Sequence, residues 1–186
     1  RILGGVGVLG AGVDLEVLEE VAAQAVFGHH APDSVLDKLL GPALATLGPR
    51  GVPGIVLSGH TDVVPVDGQA WRTDPFELAE KDGKLYGRGT ADMKSFIAIA
   101  LAMAPEFVRR ELKTPLHFAF SYDEEVGCIG VGRLIADLAL AGIKPRSCIV
   151  GEPTSMRPVI AHKGKMGFRC MVRGLTCHSA YAPLGV

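Results

Sequence analysis

Apolar residues in this chain fall into short β-branched blocks set between longer amphipathic stretches. Gly54-Ile-Val-Leu57, Leu116 to Tyr122 and Ser147 to Val150 are blocks of the length and type that form buried strands. Ala43 to Leu47 is another such block. The turn-rich Gly48-Pro-Arg-Gly-Val-Pro53 between it and Gly54 predicts a hairpin-like pair. Phe76 to Leu85 alternates loosely around Asp82-Gly83, a hairpin-turn dipeptide. Helical spacing appears over Asp14 to Phe27, where Leu15, Leu18, Val21, Ala22 and Ala25 share a face that stops near Gly28. A long apolar helix is predicted from Asp92 to about Arg110, with Pro105 expected to kink or end it. Gly127 to Leu140 reads as a helix closed by Gly142, and Val159 to Ala161 and Met166 to Arg173 read as further strands. Alternating strands and helices predict an α/β sheet.

Composition narrows the class. At 186 residues with 48% hydrophobic content, the chain can bury a real core and holds one domain or one and a half. Its 19 Lys and Arg nearly balance 20 Asp and Glu, so no charge excess draws it to nucleic acid or to an anionic membrane. The longest apolar run, Phe96 to Ala104, falls well short of the roughly 20 residues a membrane span needs. Cys128, Cys148, Cys170 and Cys177 show no C-x-x-C spacing and read as reduced, mostly buried thiols of a cytoplasmic protein. Gly5-x-Gly7-x-x-Gly10 matches a dinucleotide fingerprint only as a string: too few residues precede it to form the required strand.

Candidate chemistry gathers at strand ends, where ligands bind in α/β sheets. One predicted strand runs out into His60-x-Asp62, one into Asp123-Glu124-Glu125 and one into Glu152. A metal-bound imidazole usually gives its second N–H to an acceptor such as a carboxylate, and Asp62 is spaced to supply one to His60. Asp92 follows the Gly87-Arg-Gly89 turn and opens the apolar helix, where an aspartate can either cap the helix or hold a cation. His29-His30 reads as an exposed helix end, and His117, in mid-strand, as a core residue.

Several ordered segments then agree with one family. They are Leu57-Ser-Gly-His-Thr-Asp-Val-Val-Pro-Val-Asp67, Trp71-Arg-Thr-Asp-Pro-Phe76 and Asp82-Gly-Lys-Leu-Tyr-Gly-Arg-Gly-Thr-Ala-Asp-Met-Lys94, followed by Tyr122-Asp-Glu-Glu-Val-Gly127, Gly151-Glu-Pro-Thr-Ser155, Ala161-His-Lys-Gly-Lys165 and Cys177-His-Ser-Ala180. Over about residues 43 to 186 the chain resembles the co-catalytic zinc aminoacylase and carboxypeptidase family. The resemblance implies a mixed-sheet zinc-peptidase-like catalytic domain with helices on both faces, over residues 1–164. Residues 165–186 would begin an α+β lid and dimerisation domain. It further implies two Zn²⁺, with Co²⁺ or Mn²⁺ as substitutes. His60 and Glu152 would bind one ion, Glu125 the other, and Asp92 both, with a cis peptide after Asp92. Asp62 would orient His60, and Glu124 would be the general base, facing away from Glu125. His178 would reach the site of a partner subunit in a homodimer. The implied substrate is a small N-acyl amino acid.

Two departures stand beside the resemblance. The family's last metal ligand is a histidine near the C-terminus, in a segment this chain lacks, and residues 1–42 do not resemble the family's usual opening. The expectation is therefore a fragment of a longer enzyme, lacking the C-terminal part of the site.

Overall fold

A computed structural model describes residues 42–181, apart from Lys165, Val172 and Ser179. The predicted helix at Asp14–Phe27, the pair His29-His30 and the N-terminal glycines lie outside these residues. Contacts divide the chain after Pro153 into two units.

The first unit is built on four strands: β1 (Ala43–Leu47), β2 (Ile55–His60), β5 (Leu116–Ser121) and β6 (Ser147–Val150). Their order is β1-β5-β2-β6. β2 lies parallel to both β5 and β6, whereas β1 runs antiparallel to β5. The expected β1–β2 hairpin is thus not formed, because β5 lies between the two strands. Three adjacent parallel strands place their carboxyl ends on one edge, so the loops after His60, Ser121 and Val150 emerge together. A separate ribbon pairs β3 (Ala79–Lys81) with β4 (Lys84–Tyr86). Its turn is the predicted Asp82-Gly83, both residues at positive φ (53° and 67°), as a tight hairpin turn requires.

Alternation along the strands divides the core between two faces. Phe118 and Phe120 join Ala45 and Leu47 under helix α1 (Ser95–Arg109), which contributes Ile97, Ala100, Leu101 and Ala104. On the opposite face Ala119 and Val56 meet Leu134 of helix α2 (Val131–Leu140). Helices therefore cover both faces. α1 continues through Pro105 rather than ending there. α2 closes as predicted, with Gly142 at φ 66° and its N–H on the Ala139 carbonyl. The turn Thr90–Lys94, in which Asp92 and Met93 have non-helical φ/ψ, leads into α1, and the Lys94 N–H donates to the Gly89 carbonyl at 2.8 Å.

The second unit, residues 154–181 as described, forms no strand among its described residues, so the strands predicted at Val159–Ala161 and Met166–Arg173 are not formed. A strand needs a neighbour for its N–H and C=O groups, and among the described residues these segments have none. No lid domain is evident there. Among the described residues no helix is long and apolar enough to cross a membrane.

Candidate metal centre

His60 is the last residue of β2 and is only 2% exposed. Its Nδ1 lies 3.0 Å from the Asp62 carbonyl oxygen. A carbonyl can only accept, so Nδ1 carries the proton and the Nε2 lone pair of the neutral ring is left for another partner. Nε2 faces acids: Asp92 Oδ1 at 3.1 Å, Glu152 Oε1 at 3.7 Å and Glu124 Oε2 at 3.9 Å. His60, Asp92 and Glu152 bring ligand atoms within 4.8 Å of one another, and so do His60, Glu124 and Glu125. Residues from three strand ends and from the turn before α1 thus meet around one imidazole.

Asp62 ties the arrangement together. Its Oδ1 lies 3.4 Å from His60 Nδ1, while Oδ2 accepts the Glu125 N–H at 3.0 Å. The imidazole is therefore oriented by the Asp62 carbonyl as well as by its carboxylate, a contact that residue spacing did not predict. Asp92 makes no helix-capping hydrogen bond, and its peptide to Met93 is cis, as the resemblance implied. Glu124 and Glu125 follow Asp123, whose φ of 54° reverses the chain. Both present an oxygen to His60, whereas strand geometry led us to expect them to diverge.

Electrostatics fit a cation. Burial alone would push the His60 imidazolium down, but the Asp62 carboxylate and carbonyl and the Glu152 charge outweigh it and raise its pKa to about 9. Burial likewise pushes Asp62 up, but His60 and the N–H groups of Glu125 and Glu124 hold it below the usual carboxylate range. Glu125 and Glu152 lie above that range, through burial first and then the Asp92 charge, with Glu124 adding to it against the pull of His60. One imidazole and several crowded carboxylates form a donor set suited to Zn²⁺.

Two further contacts escaped the sequence reading. Met93 is fully buried, and its Sδ accepts the His60 main-chain N–H at 3.4 Å; its place directly after Asp92 at the head of an apolar run was the available signal. Cys128 Sγ lies 3.3 Å from Glu124 Oε1, and the carboxylate holds this thiol protonated. All four cysteines are free, but they are exposed rather than buried. His117 is the core residue expected, 4% exposed, with Nδ1 2.8 Å from Thr46 Oγ1. His178, in the second unit, is exposed; its Nδ1 accepts the Ala180 N–H at 3.1 Å, which directs the ring proton to Nε2.

The profile of peptidase family M20/M25/M40 matches residues 56–172, more than half of the chain and all of the residues gathered at the sheet edge. The chain belongs to this family. Among M20 relatives, it is 42% identical over 143 residues to the acetylornithine deacetylase of Pasteurella multocida and 43% identical over 143 residues to that of Proteus mirabilis. Each alignment covers 77% of this chain and 36% of the relative, so the chain spans about a third of the length of the curated relatives it matches. Human carnosine dipeptidase 1 superposes with a TM-score of 0.51 at 27% identity, over 73% of this chain and 32% of that one. An M20 family metallo-carboxypeptidase of Sulfolobus solfataricus shares the fold, with a TM-score of 0.56 at 20% identity, over 74% and 31%.

Proposed function

We propose that this chain carries the metal-binding segment of an M20 amidohydrolase that cleaves the amide bond of an N-acyl amino acid, with N2-acetyl-L-ornithine, giving ornithine and acetate, as the leading substrate. The observation that carries the reading is the meeting of His60, Asp92, Glu124, Glu125 and Glu152 at one sheet edge. The deacetylase relatives support the substrate. In this reading the enzyme is a cytoplasmic homodimer in its full-length form.

His60 and Glu152 would hold one Zn²⁺, Glu125 a second, and Asp92 both. When bound, such a pair polarises an acyl carbonyl and lowers the pKa of water. The chain's own residues do the rest. Asp62 keeps the His60 proton on Nδ1. Glu124, its Oε1 engaged by Cys128 and its Oε2 turned toward His60, takes a proton from the attacking water and returns it to the departing amine. His178, with its proton directed to Nε2, supplies a donor to the developing oxyanion of a partner subunit.

Metal analysis and a substrate panel, both on the full-length enzyme, test this together. Two zinc equivalents per site are expected, with one lost in Glu125→Ala. N-acetylornithine should be preferred over N-succinyl-diaminopimelate and N-acetylmethionine. Glu124→Gln should keep its zinc and lose hydrolysis by about 10²- to 10⁴-fold, the usual worth of a general base. Absence of zinc uptake would overturn the metal reading. Preference for the succinylated substrate would move the assignment to a desuccinylase.

A further inference from the structure

We propose that Phe96 is a positioning residue for this centre: its ring, seated over the side-chain-free Gly151, sets the level from which Glu152 reaches toward His60. The inference rests on the reading of the sheet edge as a metal site.

β6 pairs with β2 as far as Ser58↔Val150, and the Gly151 N–H extends the ladder to the Ser58 carbonyl at 3.1 Å. The next residue is Glu152. β6 has no partner on its outer side among the described residues, and all four of its residues are exposed. Its pairing with β2 alone leaves the tip free to tilt out of the sheet plane. α1 removes that freedom. An ideal Cβ at Gly151 would lie 2.0–2.4 Å from three ring carbons of Phe96, so the ring fills the space a side chain would need. One strand over, a Cβ at Gly59 would lie 2.9 Å from Ile97 Cγ1 and 3.2 Å from Met93 Cε. Neither glycine has the positive φ that would require glycine on backbone grounds. Space is the reason for both. One turn, Met93 to Ile97, therefore rests on two strand backbones, each one residue before a proposed ligand. The 3.7 Å between His60 Nε2 and Glu152 Oε1 depends on that seat.

The test uses the full chain, with Zn²⁺ affinity from calorimetry and the visible spectrum of the Co²⁺ form, which reports ligand geometry. Gly151→Ala should lower Zn²⁺ affinity by about 10- to 100-fold, the scale for loss of an orienting contact, and alter the Co²⁺ spectrum while far-ultraviolet circular dichroism is kept. Adding Phe96→Ala to it should recover most of that loss, because the ring is what the new methyl meets. In a Glu152→Gln background, Gly151→Ala should add nothing. Wild-type affinity in Gly151→Ala, failure of Phe96→Ala to rescue, or an equal loss in the Glu152→Gln background would each overturn the proposal. If Gly151→Ala does not fold, Phe96→Leu alone decides: a lowered affinity with a changed Co²⁺ spectrum supports the proposal, and wild-type behaviour overturns it. A wild-type chain that takes up no Zn²⁺ overturns the site reading and this inference with it.

Discussion

β2 and β5 each bury a histidine, and the two rings titrate in opposite directions. His60 ends β2 at 2% exposure, and His117, paired with Val56 in the neighbouring strand, is 4% exposed. Burial lowers His117, whose partner is the neutral hydroxyl of Thr46 and whose Nε2 has no hydrogen-bond partner among the described residues. The same burial acts on His60, yet its pKa rises to about 9, because Asp62 and Glu152 stand against it. Depth in the fold therefore does not separate a core histidine from a proposed ligand. The charges around the ring do.

Removing the ring that carries the difference should have the largest effect. His60→Ala is expected to lower Zn²⁺ affinity by more than about a hundredfold, beyond what loss of an outer partner costs, as isothermal calorimetry would show. Retained affinity would mean that the acids alone hold the ion. Asp62→Asn makes His60 resemble His117. Zn²⁺ affinity should fall about 10- to 100-fold, and the His60 pKa should drop well below 9, as followed by NMR of the ring protons.

Proton competition gives a finer test. Zn²⁺ needs the Nε2 lone pair, so its affinity should fall about tenfold per pH unit below the His60 pKa, with proton release on binding. A pH-independent affinity would show that His60 is not a ligand.

The smallest effect concerns stability of the metal-free chain. Folded His60 holds a proton that the unfolded chain releases between pH 6.5 and about 9; its contribution is full below pH 6.5 and is lost as pH rises through about 9. His117 has the opposite sign, since its folded pKa is depressed: its contribution is full above pH 6.5 and is lost as pH falls. Replacing both members of its pair, Thr46→Val with His117→Leu, should change stability at pH 8 by no more than about 1 kcal/mol, because neither partner is left unsatisfied. It should flatten the acid limb of a denaturant-midpoint profile and leave the alkaline limb to His60.

Much of this contrast was legible in the sequence. Each strand near the site announces itself through a β-branched or aromatic block, and the acids sit at fixed offsets beyond. His117 was readable as core because it sits in the middle of a buried strand block. Strand order was not readable: Gly48 to Pro53 carries local turn chemistry, whereas the insertion of β5 between β1 and β2 is set by pairing between residues about 70 apart, such as Thr46 and His117. Pro105 does not end α1, since a helix buried through Leu101 and Ala104 can tolerate one missing N–H. Glu124 and Glu125 were expected to diverge as strand neighbours, but the left-handed Asp123 turns them off the strand first.

One carboxylate, that of Asp62, touches the machinery in two places, lying beside the His60 ring and accepting the Glu125 main-chain N–H. In the proposed site those residues serve different ions. On that proposal, filling one position would pull on a group that also braces the other, and the two loading steps would be mechanically joined. A change at residue 62 will displace both binding curves together.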